Sequence, residues 1–177
     1  DLNTIANAFS ATVMGIFHER IEYPDLNLEK NKGDVWLKVY IDNRQEKIDV
    51  DGNIIEILNL AIRESLLLEK ESTDYEISLS IVDNEEIRNL NREYRNIDRE
   101  TDVLSFPLLL GDIIISGEKA LEQSIEYGHS LIREMAYLTV HSMFHLMGYD
   151  HMEDEEKKVM REKEKRVMEK IKWNLNL

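Results

Sequence analysis

Cysteine is absent from this chain of 177 residues. That rules out a disulfide framework and a thiolate metal site, so any metal would have to be held by His, Asp or Glu. Also missing is an apolar run long enough to cross a bilayer, for which ~20 consecutive residues are needed. The first residues carry no basic leader before their apolar stretch, so no secretory signal is expected and the predicted location is cytoplasmic. Positive charge is in short supply: 22 Lys and Arg stand against 36 Asp and Glu, a formal net charge of −14. A general electrostatic binder of nucleic acid is usually basic, so an enzyme acting on nucleic acid would here need a local basic patch, or a partner that supplies affinity. The length and the 42% hydrophobic content suit one compact domain with a sizeable core.

What is present is a regular pattern after an irregular start. Over residues 1–34, Ile5, Ala8, Phe9, Val13, Ile16 and Phe17 fall at helical spacing, and Pro24, Asn31 and Gly33 punctuate the remainder of that stretch. The pattern predicts an N-terminal extension of one amphipathic helix and a linker, packed on the domain or on another copy. Its polar face is not basic, which argues against membrane docking. Residues 35–177 read as a single domain. Leu37, Val39 and Ile41 alternate with polar neighbours as in a strand, and apolar residues from Asp51 to Leu68 recur as in a helix. Tyr75, Ile77, Leu79 and Ile81 alternate with Glu76, Ser78 and Ser80, a strand with one polar face. Asp83 with Glu86 three residues on resembles a capping box. Pro107 closes the run Val103–Phe106, placing that strand at an edge or an end, and Asp112–Ser116 reads as a further short strand. Ser116 can cap a helix ending near Gly128, and Ser130 one that runs to Met147 and stops at Gly148. A last helix spans Met152–Ile171. The predicted fold class is α+β: a small mixed β-sheet covered by helices, with a zincin-like three-histidine metal site.

That site is read from His141-Ser-Met-Phe-His145-Leu-Met-Gly148-Tyr-Asp-His151. Residues four apart lie one above the other on a helix, so His141 and His145 can grip one ion together. The pair alone is equally compatible with two partly exposed surface histidines. The glycine stop and the third His at matched spacing favour a metal, because the chain can turn back and bring His151 to the same ion. Three neutral imidazoles suit one zinc ion per chain, with an open fourth position for chemistry; they also accept nickel, copper or iron. His18 and His129 have no such company. The spacing matches the H-E-x-x-H-x-x-G-x-x-H pattern of metzincin proteases, except that Ser142 stands where those enzymes carry the glutamate that is their general base. Asp150 is a candidate to orient an imidazole.

The same eleven residues resemble the H-G-x-x-H-L-x-G-Y-D-H signature of the YbeY family of bacterial endoribonucleases, with Ser142 in place of the usual glycine. Leu90-Asn-Arg-Glu-Tyr-Arg95-Asn-Ile-Asp-Arg-Glu-Thr101-Asp-Val-Leu-Ser-Phe-Pro107 resembles that family's second signature, and Gly111-Asp112-Ile113 also fits. The resemblance spans about residues 37–171. It implies a zinc-dependent, single-strand-specific endoribonuclease acting in maturation of ribosomal RNA, notably the small-subunit RNA, and in ribosome quality control. It implies metal ligation by His141, His145 and His151, a catalytic role for Arg95, and RNA, the ribosome or ribosomal proteins as partners. Zinc-activated water or a 2′-hydroxyl would attack the phosphodiester. Read from spacing alone, Arg88, Arg92, Arg95 and Arg99 would line one side of a continued helix, and the interleaved Glu85, Glu86, Glu93 and Asp98 favour a solvated, salt-bridged face. The resemblance moves only Arg95 to a phosphate role. Two other functions compete: a metal-stabilised module that binds the ribosome without catalysis, and a metallopeptidase, which the missing glutamate disfavours.

Overall fold

The computed structural model describes residues 21–22, 37–69, 75–107, 111–149 and 153–175. At its centre β3 (Tyr75–Val82) pairs in parallel with β2 (Leu37–Asn43) on one side and with β5 (Gly111–Ser116) on the other. β4 (Val103–Pro107) runs antiparallel to β5 at one edge. The two-residue β1 (Ile21–Glu22) runs antiparallel to β2 at the other, a pairing that the sequence pattern did not announce. The order is β1-β2-β3-β5-β4, a mixed sheet as predicted, with Pro107 closing an edge strand where its missing N–H is tolerated. The amphipathic helix expected near the N-terminus lies outside the described residues.

Five helices surround the sheet among the described residues: α1 (Gly52–Glu69), α2 (Asn84–Arg95), α3 (Gly117–Tyr127), α4 (Leu131–Leu146) and α5 (Asp154–Leu175). Three of their starts are legible in sequence. Asp83 accepts from the Glu86 N–H at 2.8 Å, Ser116 from Lys119 at 3.1 Å and Ser130 from Arg133 at 3.3 Å. Each such cap contributes roughly 1 kcal/mol by satisfying a donor that the helix leaves orphaned.

The sheet buries both faces. Val39, Ile41, Leu79, Ile81, Ile113 and Ile115 belong to one cluster with apolar residues of α1, α4 and α5. Val82, Leu104 and Ile114 point the other way, onto Ile87 and Leu90 of α2. This corrects the sequence reading of β3 as a strand with a polar face: Ser78 and Ser80 are 5% and 3% exposed. Parallel strands in the middle of a sheet are covered on both sides, and serine is small enough to be covered with them. Gly111 has a packing role. A Cβ there would meet Leu146 Cδ1 at 2.7 Å and Ile77 Cδ1 at 2.9 Å, so its bare backbone lets the C-terminal end of α4 settle close to the sheet.

Candidate metal centre

α4 is amphipathic, and its last two turns carry His141 and His145 on one side with Phe144 fully buried on the other. The two rings meet edge to face with centroids 4.6 Å apart, and their Nε2 atoms lie 3.1 Å apart. Each Nδ1 faces a group that only accepts hydrogen bonds. His141 Nδ1 donates to Glu164 Oε1 of α5 at 2.7 Å, and His145 Nδ1 donates to the Tyr149 carbonyl at 3.0 Å. A neutral imidazole that donates from Nδ1 has its lone pair on Nε2. Two lone pairs therefore converge, at a separation close to the ~3.3 Å expected for two nitrogens bound ~2.0–2.1 Å from one tetrahedral ion.

The helix end builds half of this arrangement. Gly148 adopts φ +86°, Tyr149 N–H returns to the Phe144 carbonyl at 2.9 Å, and Gly148 N–H to that of His145 at 3.0 Å. This is the Schellman pattern, and the apolar contact that accompanies it is the Phe144–Tyr149 ring pair, 5.6 Å between centroids. Tyr149 is pinned further by its hydroxyl, which donates to Glu69 Oε2 at 2.6 Å, and by Lys163, whose ammonium lies 4.8 Å from the ring centroid and also pairs with Glu69. The carbonyl that orients His145 is thus held by α1 and α5 together. Glu164 is 5% exposed, and its second oxygen accepts from the Tyr137 hydroxyl at 3.4 Å. Burial, reinforced by the Glu164 charge, pushes the Tyr137 phenol up to about 12, so it stays a donor.

His151 and Asp150, expected here from sequence, lie outside the described residues, and among the described ones no cluster of three metal donors forms. His129 stands at the opposite end of α4, 3.0 Å from Glu134.

Arg95 is the last residue of α2. Asn96 follows in the left-handed conformation, φ 57°, and its N–H caps the Arg92 carbonyl at 3.1 Å. The helix therefore stops, and Arg99 is not on the stripe that a continued helix would have made. The reversed chain brings Asp98 back to Arg88 at 2.8 Å and to Arg92 at 3.7 Å, the salt-bridged face that the spacing favoured. Arg95 differs: among the described residues it has no carboxylate partner. Its guanidinium reaches the Ser105 carbonyl on β4 at 3.4 Å and lies 5.9 Å from the Phe106 ring centroid. Phe106 in turn meets Tyr94 edge to face at 5.5 Å. The next residue, Pro107, pairs with Gly111, against which Leu146 packs beside His145. One end of the β4–β5 pair thus lies against both Arg95 and the histidine helix.

A family model described as endoribonuclease YbeY matches residues 40–172. The chain belongs to this family. A YbeY endoribonuclease of Thermoanaerobacter is 50% identical over 156 residues, covering 76% of this chain and 98% of that protein. One of Clostridioides difficile is 51% identical over 148 residues, covering 76% and 97%. The solution structure of TM1509 from Thermotoga maritima is similar with a TM-score of 0.58 at 30% identity, covering 78% of this chain and 93% of that one.

Within this YbeY chain, Ser142 is fully buried and its hydroxyl has no hydrogen-bond partner among the described residues. It faces the core, so the position where a metzincin carries its base offers no base here. Glu164 is the residue that sequence reasoning missed. It lies 23 positions after His141, and its only local sign was a carboxylate on a helix already crowded with them.

Proposed function

We propose that this chain is a zinc-dependent endoribonuclease, with His141, His145 and His151 as metal ligands and Arg95 as the group that binds the reacting phosphate. The observation that carries the reading is the pair of Nε2 atoms 3.1 Å apart, with both Nδ1 atoms facing acceptors, an arrangement in which the Nε2 lone pairs converge. Two such lone pairs repel unless a cation lies between them, and imidazole nitrogen is a preferred zinc donor. A bound zinc ion would supply Lewis acidity and lower the pKa of a coordinated water. The chain's own part is orientation. Glu164 and the Tyr149 carbonyl hold both imidazoles in the ligating tautomer. Arg95, at the end of α2 beside the edge strand and without a carboxylate partner among the described residues, can offer a phosphate two parallel hydrogen bonds and neutralise charge that builds on it. Family membership and the two long signatures support ribosomal RNA, notably small-subunit RNA, as the substrate class, with a cytoplasmic location and the ribosome or its proteins as partners. No helix among the described residues is long and apolar enough to cross a membrane.

The test is metal removal. Chelation abolishes cleavage of a ribosomal RNA fragment and lowers the melting temperature, and added zinc restores both. A protein that loses thermal stability on chelation yet never cuts RNA would instead be a metal-stabilised binding module. Arg95→Ala lowers kcat by ~100-fold, the usual scale for losing one donor to a developing anion, without changing zinc affinity. Cleavage at the wild-type rate in that variant would remove Arg95 from the chemistry.

A further inference from the structure

A groove of about 610 Å³ runs between α4 and α5. Its rim carries four cations, Arg133, Arg161, Lys165 and Lys172. Lys165 pairs loosely with Glu169 at 4.0 Å. Arg133, Arg161 and Lys172 have no carboxylate within ion-pair distance among the described residues. In a chain with 36 acidic residues against 22 basic ones, a groove lined by four cations and only two carboxylates, Glu164 and Glu169, reverses the average balance of charge. Both carboxylates are already engaged: Glu164 accepts from His141 and Tyr137, and Glu169 faces Lys165.

The groove leads to the histidines. Tyr137 lines it, is 37% exposed, and stacks on His141 with ring centroids 6.0 Å apart. Arg161 stands one turn before Glu164, and Arg133 one turn before Tyr137. From Arg161 to Lys172 the rim extends ~16 Å along α5. A cationic groove with an exposed aromatic on its wall and apolar floor residues such as Ala136 and Met168 is the arrangement that holds a single strand: phosphates on the cations, bases against the flat apolar surfaces.

We infer that this α4–α5 groove binds the single-stranded RNA that flanks the scissile phosphate, with Arg133, Arg161 and Lys172 on the backbone and Tyr137 under a base next to the metal site. The inference rests on the endoribonuclease reading above and extends it to a second binding surface. It answers how an acidic chain can hold an acidic substrate: by concentrating unpaired cations where the strand passes.

The triple variant Arg133→Ala, Arg161→Ala, Lys172→Ala tests it, with Arg133→Glu as a single change at the end of the groove far from the histidines. The probe is a short fluorescent single-stranded RNA, bound to and cleaved by the full chain, with melting temperature as the folding control. The triple variant weakens binding and raises KM by ~10-fold or more, affects different sequences alike, and reduces the slope of log K against log salt by about 2 for three lost phosphate contacts. Arg133→Glu weakens binding in the same direction while zinc affinity is unchanged. A folded triple variant with wild-type RNA affinity and salt slope overturns the inference while the nuclease reading stands. Loss of affinity for a polyglutamate peptide in place of RNA also overturns it and assigns the groove to a protein. A wild-type chain that neither binds nor cuts RNA overturns both readings at once.

Discussion

Purified His145→Ala loses metal-dependent cleavage of a structured ribosomal RNA fragment by more than ~100-fold, a loss beyond the 10–100-fold typical of removing a mere supporting partner of a metal site. The reason is geometric. His145 supplies one of the two converging Nε2 atoms, 3.1 Å from that of His141, and nothing else on α4 can replace it. The variant should fold, because alanine is a better helix former than histidine and the ring is only partly buried. Its apo melting temperature is therefore close to wild type, and the expected result is that added zinc raises the melting temperature of the wild type and not of the variant. Side-by-side assays with matched circular dichroism check this. Equal cutting by both proteins would mean a contaminating nuclease or a site elsewhere, and the metal-centred reading would fall.

The second large effect is at Glu164. Glu164→Ala weakens zinc by 10–100-fold, measured by competition with a chromophoric chelator. The carboxylate is 5% exposed and sets the His141 tautomer through a 2.7 Å hydrogen bond. Without it the imidazole can rotate, or place its proton on Nε2, and the lone pair is then misdirected. Glu164→Gln keeps one acceptor oxygen and the side chain's volume, so it falls between alanine and wild type. A purely structural role would lower apo stability in both variants and leave zinc affinity alone. That result would separate Glu164 from the metal site.

The elements that were legible in sequence are those governed by local rules. Asp83, Ser116 and Ser130 cap helices because a short polar side chain reaches the first orphaned N–H whatever lies further away. Gly148 ends α4 because only a residue without Cβ takes φ +86° at no steric cost. The edge position of β4 followed from Pro107 alone. The arginine stripe was half legible. Its salt-bridged character was visible in the interleaved acids, but its length was not, since Asn96 in the left-handed region ends α2 at Arg95.

By itself, then, the sequence determined which helix carries His141 and His145, that both lie on one side of it, and where it stops. These are consequences of a 3.6-residue period and of glycine's backbone freedom. Only the tertiary structure decided what turns those imidazoles. Glu164 comes from α5, and the Tyr149 carbonyl is held by Glu69 of α1 and Lys163 of α5. It also decided that the serine face of β3 is buried, and that unpaired cations on two helices share one groove. Hydrogen bonds between residues 23 to 94 positions apart leave no periodic trace in a chain. They exist because the apolar faces of α1, α4 and α5 must be buried together against one sheet, and that packing brings their polar edges within reach of each other.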